Sequence, residues 1–204
     1  MTPRAEETLS LLLEQKPTPL AELTGGGGLY SLTDEHGVVR YIGETGMPFY
    51  RRINNYHCAG DDNSHKFSTV FNAGRLWQMS SVDVSPAKRA VSDHADGRIA
   101  KELRCLFARS RCMARVVDLP HLTTPERKRL EDGVLALAPP ENKRWNDSRL
   151  LDPYEPDGLD DFLAQISWPS MRIEAVERQG RRWDSLGQAD RVVVRKKRTA
   201  MSRD

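Results

Sequence analysis

Three side chains in the first quarter of the chain have the types and spacing to grip one phosphate: Tyr30, Tyr41 and Arg52. Leu29–Thr33 and Val38–Ile42 are short runs of strand-favouring residues. Between them, Asp34-Glu35-His36-Gly37 carries turn chemistry, with an Asp to open and a Gly for positive φ. With Thr33 opposite Val38, Tyr30 lies directly across from Tyr41, and directly opposed side chains share a face. A tighter turn at His36-Gly37 moves the register by two and keeps both phenols on that face. Two tyrosines so placed also suit an ordinary core or rim pair.

A helix must follow. Pro48 fits a first helical position, and Phe49, Ile53 and Tyr56 recur at i, i+4 and i+7. At roughly 100° per residue, Arg52 borders that apolar stripe and Arg51 points toward solvent. A long cation beside a buried face is costly without a partner. An anionic ligand supplies one, because a guanidinium fork matches phosphate geometry. A snorkelling arginine or a nearby carboxylate satisfies the same pattern.

The stretch resembles the GIY-YIG nuclease family through Gly28-Leu29-Tyr30 and Tyr41-Ile42-Gly43. That family expects an arginine about ten residues after the second tyrosine, followed by an apolar residue. Arg51 has the spacing, but Arg52 has the neighbour, Ile53, and is the better match. Tyr56 fills the slot four residues further on, with His57 beside it. The family's downstream signature, a Glu in a short apolar helix followed by Pro and Asn, is matched by Arg129–Asn142. There Thr124 caps the helix and Pro125 suits its first turn. Leu130, Val134 and Leu137 mark a buried face with Glu131 next to it. Pro139-Pro140 ends the helix before Asn142. The match covers residues 25–146.

The resemblance implies a divalent-metal-dependent DNA endonuclease, restriction-type or structure-specific. A single carboxylate with several waters is a normal way to hold Mg²⁺, so Glu131 is the expected ligand for Mg²⁺ or Mn²⁺. Arg52 would contact the scissile phosphate, Tyr30 would take a proton from the attacking water, and Tyr41 would position water or phosphate. A free tyrosine, with a pKa near 10, is a poor base at neutral pH. Tyr30 must therefore be assisted or only orient the water, and His57 is an alternative base or a plain surface residue. Gly28, Gly43, Tyr56 and Asn142 are supporting residues, Asn142 as a hydrogen-bonded brace. Tyr30, Tyr41, Arg52 and Glu131 should surround one open concavity. A fold that binds nucleic acid without cutting it, or a partner-binding protein with Glu131 salt-bridged elsewhere, are the competing readings.

The elements that must position these groups are mixed in order and contain an antiparallel hairpin, which favours α+β over a doubly wound sheet. By resemblance the core is a small antiparallel three-stranded sheet flanked by helices. It spans residues 25–146, between a helical N-terminal extension (1–24) and a C-terminal extension with a basic tail (147–204). Ala5–Gln15 is an amphipathic helix with Leu9, Leu12 and Leu13 on one side. The glycines Gly25–Gly28 lack the Lys-Ser/Thr of a phosphate loop. Asp61–Ser64 is a polar loop, and Arg75–Val84 holds a third strand. Arg98–Arg109 is a helix, Ala114–Leu119 a buried strand and Leu159–Ile166 a helix; Trp168 and Trp183 pack the extension on the core.

The 204 residues carry a formal net charge of +2, a hydrophobic fraction of 38% and a mean hydropathy of −0.61. Charge is unevenly spread. Arg104, Arg109, Arg111 and Arg115 crowd one region, and the tail from Arg191 to Arg203 includes Lys196 and Lys197. Such patches bind DNA phosphates by counterion release; Arg51, Arg104, Lys196 and Lys197 are the expected contacts. Cys58, Cys105 and Cys112 form no disulfide framework and no zinc motif, which suits a reducing, cytoplasmic setting. No apolar run or leader points to a membrane or to secretion. Cutting both strands with one site per chain calls for a homodimer.

Overall fold

Asp34 sets the geometry of the hairpin that carries both tyrosines. Its buried carboxylate accepts from His36 N and Val38 N at 3.0 Å each, and its own N donates to Val38 O at 2.9 Å. The structure, a computed structural model, describes residues 3–59, 67, 70–71, 94–146 and 156–184. The strands leaving the turn are β2 (Gly28–Thr33) and β3 (Val39–Thr45). Thr33 pairs with Val39 and Leu32 with Tyr41, so Arg40 is an extra, bulged residue. Its Nε donates to Asp34 Oδ2 at 2.8 Å. The direct pairing of Tyr30 with Tyr41 therefore does not form. Tyr30 lies opposite Gly43, two residues further along, and both phenols keep one face.

Among the described residues the sheet has four antiparallel strands, one more than expected, in the order β1-β4-β2-β3. β4 (Met113–Asp118) pairs with β2, and β1 (Thr18–Pro19) pairs with β4. The extra strand comes from the N-terminal segment, which is built into the sheet's rim. The strand expected over Arg75–Val84, the loop Asp61–Ser64 and the tail lie outside the described residues.

Helices cover both faces. One face presents Leu29, Val39 and Ile42 to α1 (Ala5–Glu14) and α3 (Thr124–Leu137), whose Leu12, Leu130 and Val134 complete the layer. Ser31 Oγ donates to Leu12 O at 2.6 Å beneath it. The other face presents Tyr30, Leu32 and Tyr41 to a π-helical segment, Arg51–Cys58, and to α2 (His94–Arg111). Behind them lie α4 (Leu159–Gln165) and α5 (Ser170–Asp184), with Phe162 against Phe107 at 5.3 Å between ring centroids. Trp168 packs at the margin of this cluster under Arg172, 4.0 Å from the ring centroid; the side chain of Trp183 lies outside the described set. Each fully buried Leu, Ile or Phe contributes about 1.5–3 kcal/mol.

α3 begins one residue earlier than its sequence suggests. Thr123 is the N-cap, and its N and Oγ1 both donate to Glu126 Oε2, at 2.7 and 2.6 Å. Leu137, expected on the buried face, is exposed at the helix end, and Ala138 is buried in its place.

Gly28 has φ +154°, and a Cβ there would overlap the carbonyl oxygen of Val117. Gly97, in the first turn of α2, has open space around it. Gly28→Ala should cost at least about 2 kcal/mol in urea unfolding. Gly97→Ala should change stability by no more than about 1 kcal/mol, on the favourable side.

Candidate active site

The π-helical segment decides which side chains meet Tyr30. On an α-helix, Arg52 would share its face with Tyr56. Where the backbone repeat is i→i+5, the partner is His57. Arg52 Nε donates to Tyr30 Oη at 3.2 Å, and His57 Nε2 lies 2.6 Å from the same oxygen. The tautomer of His57 decides which of the two groups donates across that contact. Tyr56 is half-buried, and Arg51 is exposed.

Gly43 makes this arrangement possible. A Cβ at that position would stand 2.8 Å from Tyr30 Oη and 2.8 Å from Tyr41 Cε1. The two phenols thus lie over the bare backbone of β3, with ring centroids 6.1 Å apart. Phe49 meets the Tyr30 ring edge-on at 6.3 Å, and the His57 centroid is 5.1 Å from that of Tyr41. Phe67 closes on His57 at 6.1 Å. These rings exclude water: Tyr30 is 0% exposed, His57 1% and Tyr41 8%. Tyr30 and His57 are thus sealed rather than open, whereas Arg52 and Glu131 are half-buried.

Electrostatics link the groups. Burial, and then the neighbouring Tyr41, push the Tyr30 pKa well above its usual 10; Arg52 pulls it down and the charge of Glu131 pushes it up. Glu131 comes from α3, which packs on the opposite face of the sheet. Burial opposes the Arg52 charge, yet Tyr30, Tyr41 and Glu44 outweigh it and raise its pKa. Among the described residues, the Arg52 Nη groups make no hydrogen bond. A carboxylate in Glu131's place is a suitable donor for a hard cation that keeps most of its waters. A separate set of donor atoms, from Glu35, His36 and Asp157, lies within 4.8 Å of one another at the hairpin turn. There His36 Nε2 to Asp157 Oδ2 (3.2 Å) and Asp157 N to Glu35 Oε1 (2.8 Å) tie the turn to the start of α4.

Asparagines secure the rim. Asn142 Nδ2 donates to Val39 O at 3.1 Å. Asn146 was not singled out by the sequence, yet it makes the closer clip: its Oδ1 accepts from Ile42 N at 3.0 Å and its Nδ2 donates to Ile42 O at 2.5 Å. The signal for it was its place one helical turn beyond Asn142. Arg127 was missed as well, although a long cation four residues before Glu131 on a buried helix face was visible.

One expected nucleic-acid contact is excluded by burial. Arg104 is among the largest fully buried side chains, and its Nη2 donates to Cys58 O at 3.2 Å at the end of the π-helical segment. It cannot reach a phosphate at the surface. Nor do its companions form one patch: Arg115 Nε donates to Gln15 O at the end of α1 at 2.7 Å, and Arg109 Nη2 to Asn54 O at 3.2 Å. Lys196 and Lys197 lie outside the described residues.

The raised Tyr30 pKa has a signed consequence. Folding holds the phenol protonated, so its contribution is complete below about pH 10 and falls away as the unfolded chain ionises above that value. Cys58, pushed up to about 12 first by burial, and Cys112, also raised by burial, add alkaline losses of the same sign from about pH 9. Urea midpoints should fall steadily between pH 9 and 11, and Tyr30→Phe should remove the part that starts near 10. Absorbance titration should find one of the five tyrosines un-ionised until the protein unfolds.

Compared with protein-family models, with curated proteins and with solved structures, the chain matches none.

Proposed function

We propose that the protein is a DNA endonuclease of the GIY-YIG type that hydrolyses phosphodiester bonds with Mg²⁺ or Mn²⁺. The observation that carries this reading is convergence. Arg52 and His57 meet one phenol oxygen, Tyr41 lies beside it, and the charge of Glu131 acts on it from a separate helix. A core tyrosine needs one hydrogen-bond partner; it does not need a guanidinium, an imidazole and a nearby carboxylate.

In the reaction, the Arg52 Nη groups take the non-bridging oxygens of the scissile phosphate, for which a guanidinium is the best-shaped donor. Tyr41 orients the attacking water. Tyr30 Oη, sealed from water with His57 behind it, fixes the Arg52 guanidinium that grips the phosphate, and the attacking water releases its proton to solvent. Tyr30 stays protonated, consistent with its raised pKa, and it and His57 act by holding Arg52 in place. Glu131 would hold the divalent ion, which when bound supplies positive charge for the phosphate and the leaving oxygen.

Purified protein should nick or cut plasmid or branched DNA with Mg²⁺, and chelator should abolish the reaction. Glu131→Gln and Arg52→Ala should each lower kcat by about 10²–10³ or more without unfolding the protein, and Arg51→Ala should spare it. Cleavage that persists in excess chelator, or that survives Glu131→Gln, would overturn the reading.

A further inference from the structure

Of the buried cations that the proposed chemistry leaves unused, one stands on the helix that carries Glu131. Arg127, in the first turn of α3, is 7% exposed. Its guanidinium reaches three places. Nε donates to Glu44 Oε2 on β3 at 3.1 Å, Nη2 to Thr124 Oγ1 at 3.0 Å, and Nη1 to Leu122 O in the turn before the helix. The loop after β3 passes directly over it: a Cβ on Gly46 would overlap Nη2. A single side chain thus joins the end of β3 to the start of α3.

Hydrophobic contacts alone would hold α3 on the sheet through Leu130 and Val134. Apolar contacts are non-directional, so they leave helix rotation loosely fixed. A part-buried ion pair adds little net stability, but the planar guanidinium fork is directional in a way apolar contact is not. Glu131 follows Arg127 by four residues, on the same side of the helix. The strand end that Arg127 grips is continuous with Gly43, over which the phenols lie. Glu44 also borders the site, since its charge acts on Arg52.

We propose that Arg127 is a positioning residue: by clamping α3 to β3 through Glu44, it fixes the rotation of α3 and with it the direction of the Glu131 carboxylate one helical turn on. The inference rests on the nuclease reading for its effect on metal and turnover, and on the clamp geometry alone for its effect on α3.

The test compares wild type, Arg127→Lys, Glu44→Gln and the double variant. Arg127→Lys keeps the charge and loses the fork. Its Kd for Mn²⁺, measured by calorimetry without DNA, should rise about 10–100-fold, as should the Mg²⁺ concentration for half-maximal cleavage. The KM for DNA should stay within about twofold, and amides of residues 127–134 should exchange faster by mass spectrometry. Glu44→Gln should act in the same direction, and the double variant should be no worse than Arg127→Lys, because the pair acts as a unit. Should Arg127→Lys only lower unfolding stability, with metal affinity, Mg²⁺ dependence and α3 exchange as in wild type, the proposal is overturned. A wild-type protein that neither binds Mn²⁺ nor cuts DNA would refute the nuclease reading and with it the metal role of the clamp. The exchange data then still decide the clamp: faster exchange in the variant supports it, and unchanged exchange rejects it.

Discussion

A phenol oxygen sealed from water must find its hydrogen bonds inside the protein or cost the fold about 1–3 kcal/mol. Tyr30 finds them in Arg52 and His57, and several unusual local features serve that one oxygen. The bulge at Arg40 puts a glycine rather than a side chain opposite Tyr30. The bare backbone at Gly43 lets the ring lie flat over β3. The π-helical repeat turns Arg52 and His57 to one side, where a regular α-helix would have separated them. None of these features is the cheapest local choice. Irregularities of this kind gather where a protein holds polar groups in one specific arrangement.

Charges alternate around this oxygen. Arg52 stands among two phenols and Glu44, and Arg127 stands between Glu44 and the first turn of α3. Each cation is close to an acid, and each acid is close to a cation or to a strand end. In a poorly solvated setting such interactions are stronger than in water, and a misplaced charge is more costly. The arrangement therefore resists small rotations of α3 or of the π-helical segment more than an apolar interface of equal area would.

Much of this was legible in the residues. The hairpin, the strand near Ala114, the helix carrying Glu131 and the choice of Arg52 over Arg51 as the inward arginine all follow from periodicity, turn chemistry and neighbours. The register did not, because it depends on the Asp34 carboxylate capturing two backbone amides, and sequence alone does not distinguish that turn from a shorter one. His57 stood out as an alternative base, but its contact with Tyr30 did not, because an α-helical repeat gives that place to Tyr56. Arg104 was misassigned and Arg127 passed over for a different reason. Composition counts an arginine as surface charge, whereas a long side chain can be buried when carbonyls or a carboxylate wait at its end.

The asparagine clip on β3 has a consequence for how copies of this chain meet. An outer strand with unpaired amides and carbonyls invites another chain to zip onto it, the first step toward fibrils. Here Asn142 and Asn146 already occupy Val39 O and both backbone groups of Ile42. The opposite rim, Thr18–Pro19, is two residues long and ends in a residue that has no N–H to offer. With both borders of the described sheet blunted, sheet-to-sheet growth is disfavoured at each end, and crowded copies of the chain can sit side by side without templating one another into aggregates.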